Sequence, residues 1–305
     1  MKNKIHVFMV ILAGVFWGSS CLFVDEFTNR LGFSSIQSTA VRMVFAALIL
    51  NAAVIVKGKG LGLYRISFGS YVIAACSGIF SVLAMCLFYY SCMNETSAAV
   101  AVILLYTAPL FVMIMSLIFF KEKLTAKKMI AFALAIVGCA LVSGIASGTK
   151  ISVIGIVFGL LSGLTYSLYG IFTSFYMKKN KEPLTFSALN FLFAAICATV
   201  ISSPMDIVRK TAAQKLPWLT LLFFVAFSLC TAVIPFVLYT AGLSKVKPDI
   251  ASILAFSEPL TGCLFGTLIL KQPMDAFGIV GIVLVCGAIV ILNVSFGKRY
   301  KNKTE

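Results

Sequence analysis

Ten apolar runs of about twenty residues organise this chain, at 5–24, 35–56, 70–90, 98–120, 126–145, 153–176, 184–202, 218–241, 251–270 and 275–294. A helix of ~20 apolar residues matches the ~30 Å hydrocarbon core of a bilayer. Within that core every backbone N–H and C=O must be satisfied inside the protein, and a helix does this by itself. The connections are short, the longest being 203–217, which reads as a simple connector. No stretch remains for a soluble domain or a low-complexity linker. Charged residues make up 11% of the chain, against roughly 25% in a soluble domain. The expected fold class is an all-α integral membrane protein with ten transmembrane helices. The first run follows Met1-Lys2-Asn3-Lys4 in the manner of a signal peptide. It is longer than a ~7–15-residue signal core and nine runs follow it, so it reads as the first span.

The net charge of +15 does not point to nucleic acid, because its distribution is that of a topology signal. With ten spans the termini share one side. That side carries 18 of the 25 Lys and Arg, the other side carries 6, and Arg42 lies within a span. The positive-inside rule then places both termini in the cytoplasm and the protein in the cytoplasmic membrane, where some basic side chains meet anionic lipid headgroups. The nine cysteines are scattered, almost all inside spans, with no CxxC pair. They read as small apolar residues with no disulfide implied.

The chain also repeats. At a constant offset of 150, residues 89–142 fall on 239–292 without a gap, aligning Tyr89 with Tyr239, Ile103-Leu104 with Ile253-Leu254, Pro109-Leu110 with Pro259-Leu260, and Lys121 with Lys271. Upstream the offset shortens: Gly14 and Gly18 fall on Gly159 and Gly163 at 145, and Arg42 falls on Asn190 at 148. Residues 1–147 and 148–305 are therefore expected to be two five-helix repeats. Five is odd, so the second copy is inverted relative to the first. Inverted repeats with a substrate site at the midplane between them are characteristic of secondary transporters.

Chemistry concentrates at a few positions. Glu258 is the only acid well inside a span, where a carboxyl is costly and tends to be functional. A carboxyl that exchanges between neutral and charged forms can carry a coupling proton, or it can bind a cationic substrate group. Alternatively it caps backbone groups freed by Pro259. Arg42 is either a fork for a substrate carboxylate or phosphate, or a side chain that snorkels to headgroups. Arg42 and Glu258 each lie roughly 10 Å from opposite membrane faces, so direct pairing needs side-chain reach or a bent helix. Pro109 and Pro259 are expected to kink their helices, freeing a carbonyl about one turn earlier. Thr107 or Ser257 is placed to satisfy it. The glycines of the first and sixth runs let helices approach closely, bringing Trp17, Ser20, Tyr106, Asn190 and Tyr239 toward a central cavity with Arg42 and Glu258.

A multi-His metal site is excluded by the single His6, and no P-loop, HExxH or GxSxG motif is present. Neither ATP-driven pumping nor enzyme catalysis has a residue set here, and no cofactor is expected.

Phe16-Trp17-Gly18-Ser19-Ser20, Arg42, Pro109 with Phe119-Phe120-Lys121-Glu122-Lys123-Leu124-Thr125, and Glu258-Pro259 together resemble the drug/metabolite transporter superfamily, and within it the ten-helix EamA family. The resemblance spans the whole chain. It implies a basket of ten helices around a central cavity and secondary transport, often export of amino acids, related metabolites or toxic compounds, proton-linked or diffusive. Lys271-Gln272-Pro273 departs from the acid that family members often keep there. The leading expectation is an efflux carrier for a small molecule, working as a monomer. Uptake by the same architecture and, more remotely, a membrane enzyme or structural subunit are the alternatives.

Overall fold

A computed structural model describes residues 2–142, 152–180, 182–269 and 276–301, with the side chains of residues 2, 3, 24, 25, 28, 29, 99, 142 and 293–301 left out. The expected division at 147/148 and Lys271-Gln272-Pro273 lie outside the described residues.

The described chain is helical and contains no strand. Helix α1 is Lys2–Gly18 and α2 is Ser35–Lys57. Span α3 is Phe68–Glu95, and the half-helices α4 and α5 are Ala98–Leu105 and Ala108–Phe120. Then follow α6 (Ala126–Val142), α7 (Val153–Lys179), α8 (Pro183–Ile201) and α9 (Pro204–Ala212). Span α10 is Pro217–Leu243. The half-helices α11 and α12 are Pro248–Leu254 and Ser257–Leu268, and α13 is Ala276–Lys301. Eight segments are long and apolar enough to cross a membrane. The other two apolar runs fall on α6 and on Ala276–Leu292, which are shorter within the described residues.

Local chemistry sets many of the starts. Ser34 caps α2 in a full capping box: its Oγ accepts from the Gln37 N–H at 3.2 Å, and Gln37 Oε1 accepts from the Ser34 N–H at 3.0 Å. Ser97 and Ser152 cap α4 and α7 more simply, each side chain accepting one backbone N–H at 3.3 Å. Prolines open α8, α9, α10 and α11, where the missing N–H has no helical partner to lose.

The kinks expected at Pro109 and Pro259 are complete breaks slightly earlier, at Tyr106-Thr107 and Ala255-Phe256. Both prolines sit in the first turn of the second half-helix, a position proline tolerates. At the first break the Leu104 carbonyl accepts from Thr107 Oγ1 at 2.6 Å and from the Thr107 N–H at 3.1 Å. Ser257 instead donates across to the Ile11 carbonyl of α1 at 2.9 Å.

Packing comes in reciprocal sets. α2 runs along α8, and α6 along α13. α1 packs on α10 and α12, while α7 packs on α3 and on α4 and α5. Two π-helical segments occupy corresponding places, Ser77–Leu83 in α3 and Leu229–Val233 in α10. Lipid does not push helices together as water does, so close packing of small residues carries much of the association. Accordingly Ala46 and Ala47 of α2 and Ala188, Ala194 and Ala195 of α8 are buried in one core with Met43, Leu50, Phe186 and Phe191. Large apolar residues such as Leu48, Val56, Val200 and Val283 face outward, as a lipid-facing surface requires.

Candidate functional site

The two breaks meet. The ring of Tyr106, between α4 and α5, lies 4.9 Å from that of Phe256, between α11 and α12, tilted by 33°. Both side chains are buried. Glycine seams bring the neighbouring helices onto these breaks. A Cβ on Gly18 of α1 would stand 2.6 Å from the Glu258 carbonyl oxygen and 2.7 Å from Thr261 Cβ. A Cβ on Gly163 of α7 would stand 2.6 Å from Thr107 Oγ1 and 2.9 Å from the Leu104 carbonyl oxygen. Each repeat thus contributes a glycine-lined helix pressed against the broken helix of the other half.

Glu258 sits in the first turn of α12, where the helix dipole favours a negative charge. Its carboxylate makes a polar contact with the Tyr106 hydroxyl and lies within the electrostatic reach of Arg42. Tyr89 and Tyr166 also share its field. Arg42 donates from Nη2 to Cys86 Sγ at 3.1 Å, and its buried Nε has no hydrogen-bond partner. Arg42 and Glu258 feel each other's charge without forming an ion pair. Tyr90, hydrogen-bonded to Thr39 at 3.3 Å, lies beside Arg42.

An aromatic wall faces this polar centre. Trp17 packs edge-on to Phe236 at 5.2 Å and Tyr166 at 6.4 Å, and lies 5.3 Å from Tyr239. Behind it the hydroxyls of Tyr169 and Thr240 hydrogen-bond at 2.7 Å. Tyr106, Pro109, Tyr166, Tyr169, Tyr239 and Ser252 enclose a void of about 10 Å³, room for roughly one water.

The expected site residues therefore separate. Trp17, Arg42, Tyr106, Tyr239 and Glu258 are gathered around the breaks, with Pro109 on the void. Pro259 follows Glu258 within the same turn. Ser20 spends its hydroxyl on the Trp17 carbonyl at 2.6 Å. Asn190 is fully buried on α8, donating to Ser77 Oγ at 2.6 Å, with its Oδ1 unpartnered. It faces the π segment of α3, and Gly78 packs on its carbonyl.

Tyr166, less favoured from sequence than Trp17, Tyr106 and Tyr239, and Cys86, which nothing in the sequence singles out, are neighbours of the charged residues. The sequence reading missed two ion pairs near one end of α11. Lys128 of α6 pairs with the buried Asp249, and Lys247 pairs with Glu122 just past α5. The signal available was charge of both signs at run ends expected on one side of the membrane.

The sequence profile of the EamA-like transporter family matches residues 4–144 and again 153–294. The uncharacterized transporter YwfM of Bacillus subtilis (strain 168) is 25% identical over 304 residues, covering 98% of this chain and 97% of that protein. Protein PecM of Dickeya dadantii (strain 3937) is 23% identical over 198 residues, covering 64% of this chain and 65% of PecM. A solved crystal structure superposes with a TM-score of 0.77 at 16% identity, over 95% of this chain and 96% of that one, which shows the shared fold.

Proposed function

The chain belongs to the EamA-like transporter family, and from that premise we propose that it is a secondary transporter exporting a small metabolite, an amino acid or related compound, across the cytoplasmic membrane. Glu258 is the recognition and proton-coupling group. The observation that carries this reading is the meeting of two broken helices at Tyr106 and Phe256, with a carboxylate at the head of one half-helix. Broken helices at membrane depth are where transporters expose backbone and dipole ends to substrate.

Arg42 and Glu258 offer opposite charges that do not neutralise each other directly, and Arg42 keeps a donor free. A zwitterion carrying an amine for Glu258 and a carboxylate for Arg42 suits that pair. The wall of Trp17, Tyr166 and Tyr239 suits its apolar part. The void beside Tyr106 and Tyr239 is too small for such a substrate, so a transport cycle that passes it there would part the halves.

The reciprocal packing supports reading residues 1–147 and 148–305 as inverted repeats that rock against each other. Both halves lie on one chain, so a monomer suffices, with both termini cytoplasmic by the basic-residue bias. Glu258→Gln tests the proposal in inside-out membrane vesicles loaded from an amino-acid panel. The substitution should abolish proton-driven accumulation while leaving the protein in the membrane. Unchanged accumulation with an unchanged pH profile would remove Glu258 from the mechanism.

A further inference from the structure

Away from Glu258, an apolar groove of about 480 Å³ lies between α2, α9 and α10. We propose that it binds one anionic phospholipid, an acyl chain lying in the groove and the phosphate held by Arg209 and Lys215, the exposed basic residues of the segment that roofs it.

The sequence reads 203–217 as a connector, but it folds into α9, a nine-residue helix. Pro204, Ile207, Val208, Thr211 and Ala212 of α9 line the groove. That spacing of three and four is the stripe of an amphipathic helix, and such helices lie in the membrane interface. The facing walls are supplied by Val41, Val44 and Phe45 of α2 and by Leu221 and Phe224 of α10.

The groove's volume falls in the ~300–1,000 Å³ range of small-molecule sites, but its chemistry does not suit a polar metabolite. No titratable side chain lines it. Its three hydroxyls are already committed to backbone: Thr199 to the Ala195 carbonyl at 2.7 Å, Ser202 to Thr199 at 3.3 Å and Thr211 to Ile207 at 2.8 Å. A hydrocarbon chain asks for no polar partner, and the groove offers none.

The roof of the groove is pinned. Gln37 Nε2 donates to Asp206 Oδ2 at 2.6 Å, and Lys210 Nζ donates to the Gly32 carbonyl at 2.9 Å and to Gln37 Oε1 at 3.0 Å. Asp206 and Lys210 also pair at 3.3 Å. This uses the one acid of the 203–217 segment and one of its three basic residues. Arg209 and Lys215 remain, both exposed, on a segment that joins two membrane spans and so sits at headgroup level. An exposed basic side chain at headgroup level attracts an anionic headgroup by direct charge in either leaflet.

The test is native mass spectrometry of the full-length protein in mixed micelles with phosphatidylglycerol or phosphatidylcholine of the same acyl chains. Wild type should retain one phosphatidylglycerol in preference to phosphatidylcholine. Arg209→Gln and Lys215→Gln should each lower that preference about fivefold, the attraction of one basic residue at the surface. Val208→Trp, at a position 61% exposed and so able to accept the ring, should displace both lipids with helicity unchanged by circular dichroism. Equal retention of the two lipids by wild type would overturn the proposal, as would undiminished retention by Val208→Trp. Stabilisation by inorganic phosphate in phosphatidylcholine alone would assign the basic rim to a free anion. A dimer that Val208→Trp disrupts, without a change in lipid retention, would assign the face to a second copy.

Discussion

Tyr106 packs against Phe256 with ring centroids 4.9 Å apart and the rings tilted by 33°, and each residue marks the break of its own helix. The pair is where the two halves touch at the level of the missing backbone turns, and the Tyr106 hydroxyl reaches on to Glu258. Ring contact and hydroxyl contact have separable consequences. Phe256→Ala removes a fully buried ring and should cost about 3–5 kcal/mol of stability, seen as lost monodisperse protein in size-exclusion chromatography. Tyr106→Phe keeps the ring and should leave that elution profile intact. It should alter the pH profile of transport, because the carboxylate loses its contact with the Tyr106 hydroxyl. If the pH profile of Tyr106→Phe matches wild type, the hydroxyl plays no part at Glu258.

Gly18 meets the break that holds Glu258, and the contact is with backbone. A methyl group there would stand 2.6 Å from the Glu258 carbonyl oxygen, and backbone cannot rotate away as a side chain can. Gly18→Ala should therefore displace α12, reducing both folded yield and transport by several-fold. Gly287→Ala, where an added Cβ meets nothing within 4 Å, should be neutral in the same assays.

Asp206 pins α9 to the start of α2, and its hydrogen bonds from Gln37 and Lys210 hold its carboxyl below the usual carboxylate range. A lowered folded-state value means that the pinned form is favoured above the ordinary carboxylate pKa. That preference is lost as pH falls through the folded value. Acidification below about pH 4, the ordinary range of an Asp side chain, should loosen α9, reported by a shift in the emission of exposed Trp218 at the head of α10. Asp206→Asn should show the loosened emission already at neutral pH and little further change on acidification.

Much of the architecture is legible in the chain because the bilayer allows few solutions: apolar runs give the spans, and the register of Pro109 with Pro259 locates both broken helices. Glu258 stands out because a carboxylate in an apolar run has a cost that something must offset. What surrounds it is less legible. Cys86 and Tyr166 reach the charged pair only through packing between separate helices, and nothing in their local sequence distinguishes them from neighbours. Asn190 shows the limit of the repeat as a guide. An offset of 148 lays it on Arg42, yet its amide donates to Ser77 of a π segment, since matching backbone positions do not require matching chemistry. The amphipathic spacing of α9 is present in the sequence, but nine residues ending near Pro217 read as connector when the helix start is a left-handed Ser203 with φ 54° and no side-chain cap.

The two ion pairs that tie α11 to α5 and α6 should differ sharply in what they contribute. Asp249 has a side chain only 2% exposed and Lys128 11%, whereas Lys247 and Glu122 are 43% and 21% exposed. Removing one partner of a buried pair leaves an uncompensated charge and costs about 3–5 kcal/mol, while replacing both by apolar residues is often neutral. Exposed pairs contribute about 0–1 kcal/mol. Lys128→Met should therefore destabilise the protein strongly, Lys128→Met with Asp249→Leu should recover most of the loss, and Lys247→Met should sit near wild type. Thermal unfolding in detergent followed by tryptophan emission separates the three variants. The repeat gives this arrangement a further consequence. At the offset of 150 Lys128 corresponds to Gly278 and Lys247 to Ser97, so neither lysine of this latch between the halves is repeated at its corresponding position. If the halves rock, the doubly apolar variant keeps the stability but loses the charge attraction that closes this end. Its transport rate should then rise or fall while its unfolding temperature stays near wild type. A variant unchanged in both would show that the pair only fills space between α6 and α11.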